Sequence, residues 1–154
     1  MTIQIALLAD HPALISQLAA AYEQHMPDWY RPGGRGDART DLEARARRDG
    51  LPCALVAFEG EVAIGTCALG PVSMSLPAPF GAWLLGLWVA SSHRRRGIAV
   101  ELVRAAAAQA VILNISEVRS GTVAAPGVFL KAGWSLLEPI VHDGVLTQVF
   151  STKP

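Results

Sequence analysis

The chain has 154 residues, enough for a single domain with a core of its own. Apolar residues make up 51% and charged residues 17%, which speaks against a disordered chain, and 13 basic residues balance 13 acidic ones, which speaks against binding nucleic acid or a membrane surface by bulk charge. Two cysteines, Cys53 and Cys67, are too few for a disulfide scaffold, and without Cys-x-x-Cys or His-x-x-x-His spacing no metal site is expected. No apolar run has the length of a membrane-spanning helix, and the opening MTIQIALLADHPAL lacks the basic flank and cleavage pattern of a signal peptide, so a cytoplasmic location is the expectation.

In chain order, Thr2 to Leu7 reads as a strand. Asp10 then caps a helix with Pro12 in its first turn and Leu14, Leu18 and Tyr22 along its apolar stripe. The stretch from His25 to Asp37 is loop-like, with its prolines and glycines. Thr40-Asp41-Leu42-Glu43 has the form of a capping box and predicts a second helix to about Arg48, stopped by Gly50. Cys53 to Glu59 and Val62 to Leu69 read as a hairpin around Glu59-Gly60-Glu61. As a three-residue turn this would set Cys53 directly opposite Cys67 as two reduced, half-buried thiols. Gly70 to Gly81 is a Pro- and Ser-rich loop. Trp83 to Val89 is almost wholly apolar, as a central strand covered on both faces should be. A helix from Ile98 to Ala110, a strand near Ile115 to Ser120 and a short helix opened by Pro126 follow. Strands Trp134 to Val141 and Val145 to Ser151 then flank the Asp-Gly turn of His142-Asp143-Gly144.

The most informative stretch is LLGLWVASSHRRRGIAVELVRAAAAQA, from Leu84 to Ala110. A buried strand runs into a tight turn holding Arg94, Arg95, Arg96 and Gly97, and the turn opens directly into an Ala-rich helix. Backbone N–H groups at such a helix start have no partner and point one way. With the helix dipole and the arginines they form a site for a phosphate or diphosphate. A dinucleotide fingerprint fits less well, since of its three glycines only Gly97 is present in that window.

The segment Arg94-Arg95-Arg96-Gly97-Ile98-Ala99, with Val89 closing the strand before it, resembles the Arg/Gln-x-x-Gly-x-Gly/Ala signature of the GNAT superfamily of N-acetyltransferases. The predicted order β-α-α-β-β-β-α-β-α-β-β is similar to that family's over essentially the whole chain. The resemblance implies an α/β (α+β) fold, with a mixed, mostly antiparallel sheet of six to seven strands flanked by about four helices. It implies acetyl-CoA as co-substrate without a metal. Leu87, Trp88 and Val89 would meet the pantetheine arm along a strand splayed at a bulge, and Arg94, Arg95, Arg96, Gly97, Ile98, Ala99 and Val100 the diphosphate. Ser91 stands where many members have Pro. VFLKAGW, from Val128 to Trp134, is similar to the family's Tyr-x-x-x-Gly-Phe motif. Phe129 holds the Tyr position, where a hydroxyl often protonates the departing thiolate, so Phe129 can serve as an apolar wall or as a core residue. Thr122 sits where an Asn often contacts the cofactor.

The strand Glu that many members use as base is Trp83 here. Glu117, in Ser116-Glu117-Val118-Arg119, has the offset of a catalytic Glu in the branch that acetylates ribosomal-protein and other N-termini. A salt-bridged Glu at a sheet end is the plainer alternative. The resemblance also puts the acceptor groove under the loop carrying Asp28, Trp29, Tyr30, Arg31 and Asp37. Trp29 and Tyr30 would take a small cationic or amphipathic amine there, or else seal the edge of the core. Relatives of this kind often form homodimers, for which the sequence singles out no patch. Acetyl transfer to a primary amine, of a small molecule or of a peptide or protein, is the leading reading. A non-catalytic acyl-CoA-binding sensor or regulatory module is the alternative.

Overall fold

The computed structural model describes residues 2–30 and 36–154. An eight-stranded sheet forms its centre, built from β1 (Ile3–Leu7), β2 (Cys53–Glu59), β3 (Val62–Gly70), β6 (Ala82–Val89), β7 (Val118–Thr122), β10 (Val145–Thr152), β8 (Ser135–Leu136) and β9 (Ile140–His142). The first seven lie in the order given, and β9 pairs with β10. All pairs are antiparallel except β6 with β7. A two-stranded hairpin of β4 (Val72–Ser73) and β5 (Leu76–Pro77) lies off the sheet.

Helices cover both faces. Alternate strand residues feed two cores, because successive side chains of a strand point to opposite sides. Leu55, Ala57, Leu84 and Val118 pack with Leu102, Val103 and Ala106 of α4 (Ile98–Ile112) and Phe129 of α5 (Pro126–Lys131). Ala54, Val56 and Phe58 pack with Leu18 and Tyr22 of α1 (Ile15–His25) and Leu42 of α3 (Ala38–Ala44). The fold is therefore mixed α/β, as the sequence predicts.

Several local expectations are corrected. Leu8–Asp10 and Pro12–Leu14 are single 3-10 turns, α1 begins only at Ile15, and no side chain caps these starts. Asp10 instead pairs with Arg48. The cap of α3 is Asp37, whose carboxylate accepts from Thr40 N–H at 2.9 Å, so that helix starts earlier than the Thr40 capping box implied and ends at Ala44. An Asx cap in extended backbone competes for the same N–H groups and takes them first. A further short helix, α2 (Pro27–Tyr30), occupies part of the expected loop, while Arg31 lies outside the described residues.

The β2–β3 turn is tighter than expected, with Glu59 opposite Val62 and an irregularity at Ala57/Phe58. Cys53 consequently faces Leu69, and Cys67 faces Leu55. The two thiols are free and buried, burial pushes the Cys67 thiol up to about 12, and each donates to a backbone carbonyl. The predicted strand from Trp134 to Val141 divides into β8 and β9 with Pro139 between them, since proline has no N–H for a ladder. Among the described residues no helix is long and apolar enough to cross a membrane, and no three His, Cys, Asp or Glu side chains gather as metal ligands would.

Candidate functional site

The site is organised by an irregularity in β6. Thr66 pairs with Trp88 and Ala68 with Leu85, so Gly86 and Leu87 together oppose Cys67, which is a β-bulge. Gly86 takes the left-handed conformation (φ +66°) that the bulge requires. Its carbonyl accepts a 2.6 Å hydrogen bond from the buried Tyr22 hydroxyl. Burial raises the Tyr22 pKa, so the group stays a neutral donor. On the other side, β6 pairs with β7 only at Ala82–Val118 and Trp83–Arg119. Ser120 Oγ then donates to the Leu84 carbonyl at 2.9 Å, a side-chain bond in place of the next ladder bond. Past that point the strands separate, and among the described residues the edge of Leu87–Val89 that faces β7 has no ladder partner.

The chain leaves β6 through a 3-10 turn, Ser91–His93, and enters α4 through the arginine turn. Arg95 (φ +63°) and Gly97 (φ +77°) are both left-handed, the kind of backbone from which anion-binding nests are built. Gly97 is the N-cap and supplies no capping side chain. The first helical bond runs from Glu101 N–H to the Gly97 carbonyl at 3.1 Å, which leaves the N–H groups of Ile98, Ala99 and Val100 without an intrahelical partner. Arg94 folds back, with its Nε donating to the Val89 carbonyl at 3.3 Å.

These elements meet in one groove of about 780 Å³. Leu87–Val89, Arg94, Arg95 and Gly97–Val100 line it, which brings together most of the residues singled out in the sequence. The opposite wall, Ala124–Val128 with Lys131, was missed. Its signal was present as a run of small residues around Pro126, which lets another chain or ligand approach closely. His93 also lines the groove, with Nε2 3.4 Å from Glu59 Oε1. Among the described residues no carboxylate lines the groove, whereas Arg94, Arg95 and Lys131 do.

Arg96, Thr122 and Phe129 are not in this lining. Thr122 acts one step back, its Oγ1 accepting from Ala125 N–H at 3.0 Å and so shaping the wall's turn. Phe129 is only 2% exposed, stacked on Phe150 at 5.4 Å and edge-on to Trp134 at 5.2 Å, which is the core role.

Glu117 lies just before β7, where its carbonyl accepts from Ala82 N–H at 3.1 Å, at the paired end of β6 and β7 rather than the splayed one. Arg119 Nε at 2.5 Å and Ser151 Oγ at 2.8 Å both donate to its Oε2. The Arg119 hydrogen bond holds this carboxyl below the usual carboxylate range, against an opposing contribution from burial. Trp83 fills the place of the missing strand Glu, and its indole N–H donates to the Leu76 and Pro77 carbonyls, tying the β4–β5 hairpin to the sheet.

The face of β6 turned to α1 and α3 carries the expected acceptor residues. Trp29 is 46% exposed, while Tyr30 is buried, stacked on Tyr22 at 5.4 Å and donating to Asp41 Oδ2 at 2.8 Å. Burial is the main reason the Tyr30 pKa rises to about 12. The side chain of Asp28 lies outside the described residues, and Asp37 is committed to its cap. Trp88 turns its ring to this face, 5.8 Å from the ring of His25.

No curated protein matches the chain in sequence. Among solved structures, an aminoglycoside 6'-N-acetyltransferase complexed with coenzyme A superposes with a TM-score of 0.75 at 16% identity, over 99% of this chain and 97% of that one. An N-acetyltransferase from Staphylococcus aureus Mu50 gives 0.76 at 15% identity, over 99% of each chain. The ribosomal-protein-alanine N-acetyltransferase from Brucella melitensis gives 0.68 at 21% identity over the whole of both. At these identities the likeness concerns the fold. The family model described as Acetyltransferase (GNAT) family matches residues 18–134, from α1 through the splayed strand and arginine turn to Trp134. The chain belongs to the GNAT acetyltransferase family.

Proposed function

We propose that this protein transfers the acetyl group of acetyl-CoA to a primary amine, on a small molecule or on a peptide or protein, by direct attack while both substrates are bound. The observation that carries the reading is the groove itself. It joins the unpaired N–H groups of Ile98–Val100 and the nest at Arg95–Gly97 to the unpaired strand edge of Leu87–Val89. The first is suited to a diphosphate. The second is suited to the amides of a pantetheine arm, which can add to a strand edge. Arg94, Arg95 and Lys131, with no carboxylate in the lining, match a polyanionic ligand. The coenzyme A bound to one structural neighbour supports the same reading.

Acetyl-CoA supplies an activated acyl group. The amine nitrogen bonds to the acetyl carbon, the carbon–sulfur bond breaks, and its electron pair leaves on sulfur. Phe129 has no proton to give, so CoA leaves as the thiolate. The amine's proton leaves to water, with Glu117 as the base proposed to take it on; that carboxylate is ionised but engaged by Arg119 and Ser151, which weakens it as a base.

Gly97→Val tests the cofactor site. A Cβ at Gly97 meets no described residue within 4 Å, so the new side chain would project into the space assigned to the ligand. The left-handed conformation adds a strain of about 1–2 kcal/mol. By calorimetry the variant should bind CoA at least about tenfold more weakly while still unfolding cooperatively. Equal CoA affinity in the two proteins would contradict the placement. Turnover with a panel of primary amines, followed by CoA thiol release, separates catalysis from acyl-CoA binding alone.

A further inference from the structure

On the acceptor face of β6, two buried N–H donors have no hydrogen-bond partner among the described residues: Arg45 Nη1 and Trp88 Nε1. Both lie on one face of the strand. A Cβ on Gly86 would lie 3.3 Å from Arg45 Nη1 and 2.6 Å from the Tyr22 hydroxyl, so the guanidinium occupies the space that the bulge glycine leaves free. Trp88 follows two residues later on the same face, since its ring packs with the α1 and α3 core while Leu87 packs on the other side. Arg45 follows α3 as its C-cap, so helix and bulge together aim its side chain at the strand.

The other charges around this spot leave Arg45 without an acid. Asp41, one turn earlier on α3, accepts from the Tyr30 hydroxyl, and no ion pair of Arg45 occurs among the described residues. The Tyr30 hydroxyl hydrogen-bonds the guanidinium, whose Nη1 is left over, and the Tyr22 hydroxyl lies near it; both hydroxyls are held neutral by burial. His25 faces Trp88 as a ring and adds no negative charge. A buried guanidinium N–H, at Arg45 Nη1, and a buried indole N–H left unpaired on one face cost free energy unless something that accepts hydrogen bonds meets them. Two donors on one face of the strand, one of them cationic and planar, suit the oxygens of a carboxylate.

We propose that the acceptor amine carries a carboxylate, as in an α-amino acid, and that Arg45 and Trp88 Nε1 hold this group beside the Gly86 bulge. The proposal rests on the acetyl-transfer reading above and narrows its substrate class. The bulge adjoins the strand edge Leu87–Val89 assigned to the pantetheine arm, so a carboxylate fixed there sets the neighbouring amine against the thioester end of the same strand. The ring of Trp88, with His25 beside it, offers a flat surface for the rest of the acceptor.

The test uses matched pairs that differ only in the carboxylate: phenylalanine against 2-phenylethylamine, and leucine against 3-methylbutylamine. Acetylation by the full chain is followed as CoA release, and binding of each probe to the CoA-loaded protein is measured by calorimetry. The carboxylate member of each pair should have a kcat/KM about tenfold to hundredfold higher, in line with charge-assisted hydrogen bonds to a buried group. In Arg45→Met this ratio should fall toward one, while the melting temperature holds, since no ion pair of Arg45 is lost. In Trp88→Phe the ratio should fall by a smaller factor. Equal turnover and binding within the pairs of the wild-type chain would overturn the proposal even if Arg45→Met failed to fold. So would an Arg45→Met variant that kept the ratio. If CoA binds but no member of any pair is acetylated, the proposal falls and the cofactor site stands; if CoA does not bind, the acetyl-transfer reading falls too.

Discussion

Glu117 shows how one residue's surroundings limit its chemistry. Its Oε2 takes hydrogen bonds from Arg119 and Ser151, and the side chain is 13% exposed. A carboxyl lowered in this way adds stability above its unfolded pKa of about 4.3 and loses that contribution as pH falls through the lower folded value. Glu117→Gln should therefore be less resistant to urea than wild type at pH 7, with the difference closing by pH 3. If Glu117 receives the proton, the same variant should lose turnover far more than CoA affinity, as steady-state kinetics beside calorimetry would show. Undiminished turnover would leave water alone to carry the proton. At this scale the sequence was readable where chemistry is local. Arg94, Gly97 and Ile98 act through neighbours a few positions away, and they fall where the turn pattern put them. Arg45 and Tyr22 were not readable as site residues, because each acquires its meaning from Gly86, far along the chain.

Between elements, the decisive feature is the departure of β6 from β7. Ser120 ends the ladder with a bond to the Leu84 carbonyl, and Tyr22 secures the bulge from the opposite face. Gly86→Ala tests this pairing of bulge and pin. Its Cβ would meet the Tyr22 hydroxyl at 2.6 Å in a backbone conformation of φ +66°, so the strand must straighten or the hydroxyl must leave. A loss of about 2–4 kcal/mol in urea unfolding is expected, with CoA affinity reduced as the strand edge shifts. A variant as stable as wild type would show that the bulge does not depend on this contact. An isolated glycine in the apolar run Leu84–Val89 was the available sign of a bulge, yet its partner strand and position needed the sheet. The β2–β3 register failed for a related reason. Turn length sets register, and both Glu59-Gly60-Glu61 and the tighter turn closed at Val62 are compatible with those residues. Pro139 was a legible interruption that a purely hydrophobic reading of Trp134 to Val141 passed over.

For the whole molecule, the sheet is a partition between two chemistries. Its α4 and α5 side carries the cationic groove, and its α1 and α3 side carries the aromatic face with the unpaired donors of Arg45 and Trp88. β6 belongs to both, with Leu87 turned to one core and Trp88 to the other. Strand order and the parallel β6–β7 pair were accessible from the succession of apolar segments, since a strand–helix–strand unit in that position favours them. The depth of the groove and the content of the acceptor face depend on packing across the sheet, which no single segment encodes. The central claim is that the splayed end of β6 and the start of α4 form one acetyl-CoA site. A crystal structure of the protein with CoA tests it most directly. The diphosphate is expected against the N–H groups of Ile98–Val100 and the pantetheine arm along Leu87–Val89. CoA bound elsewhere, with that strand edge and helix start untouched, would contradict it.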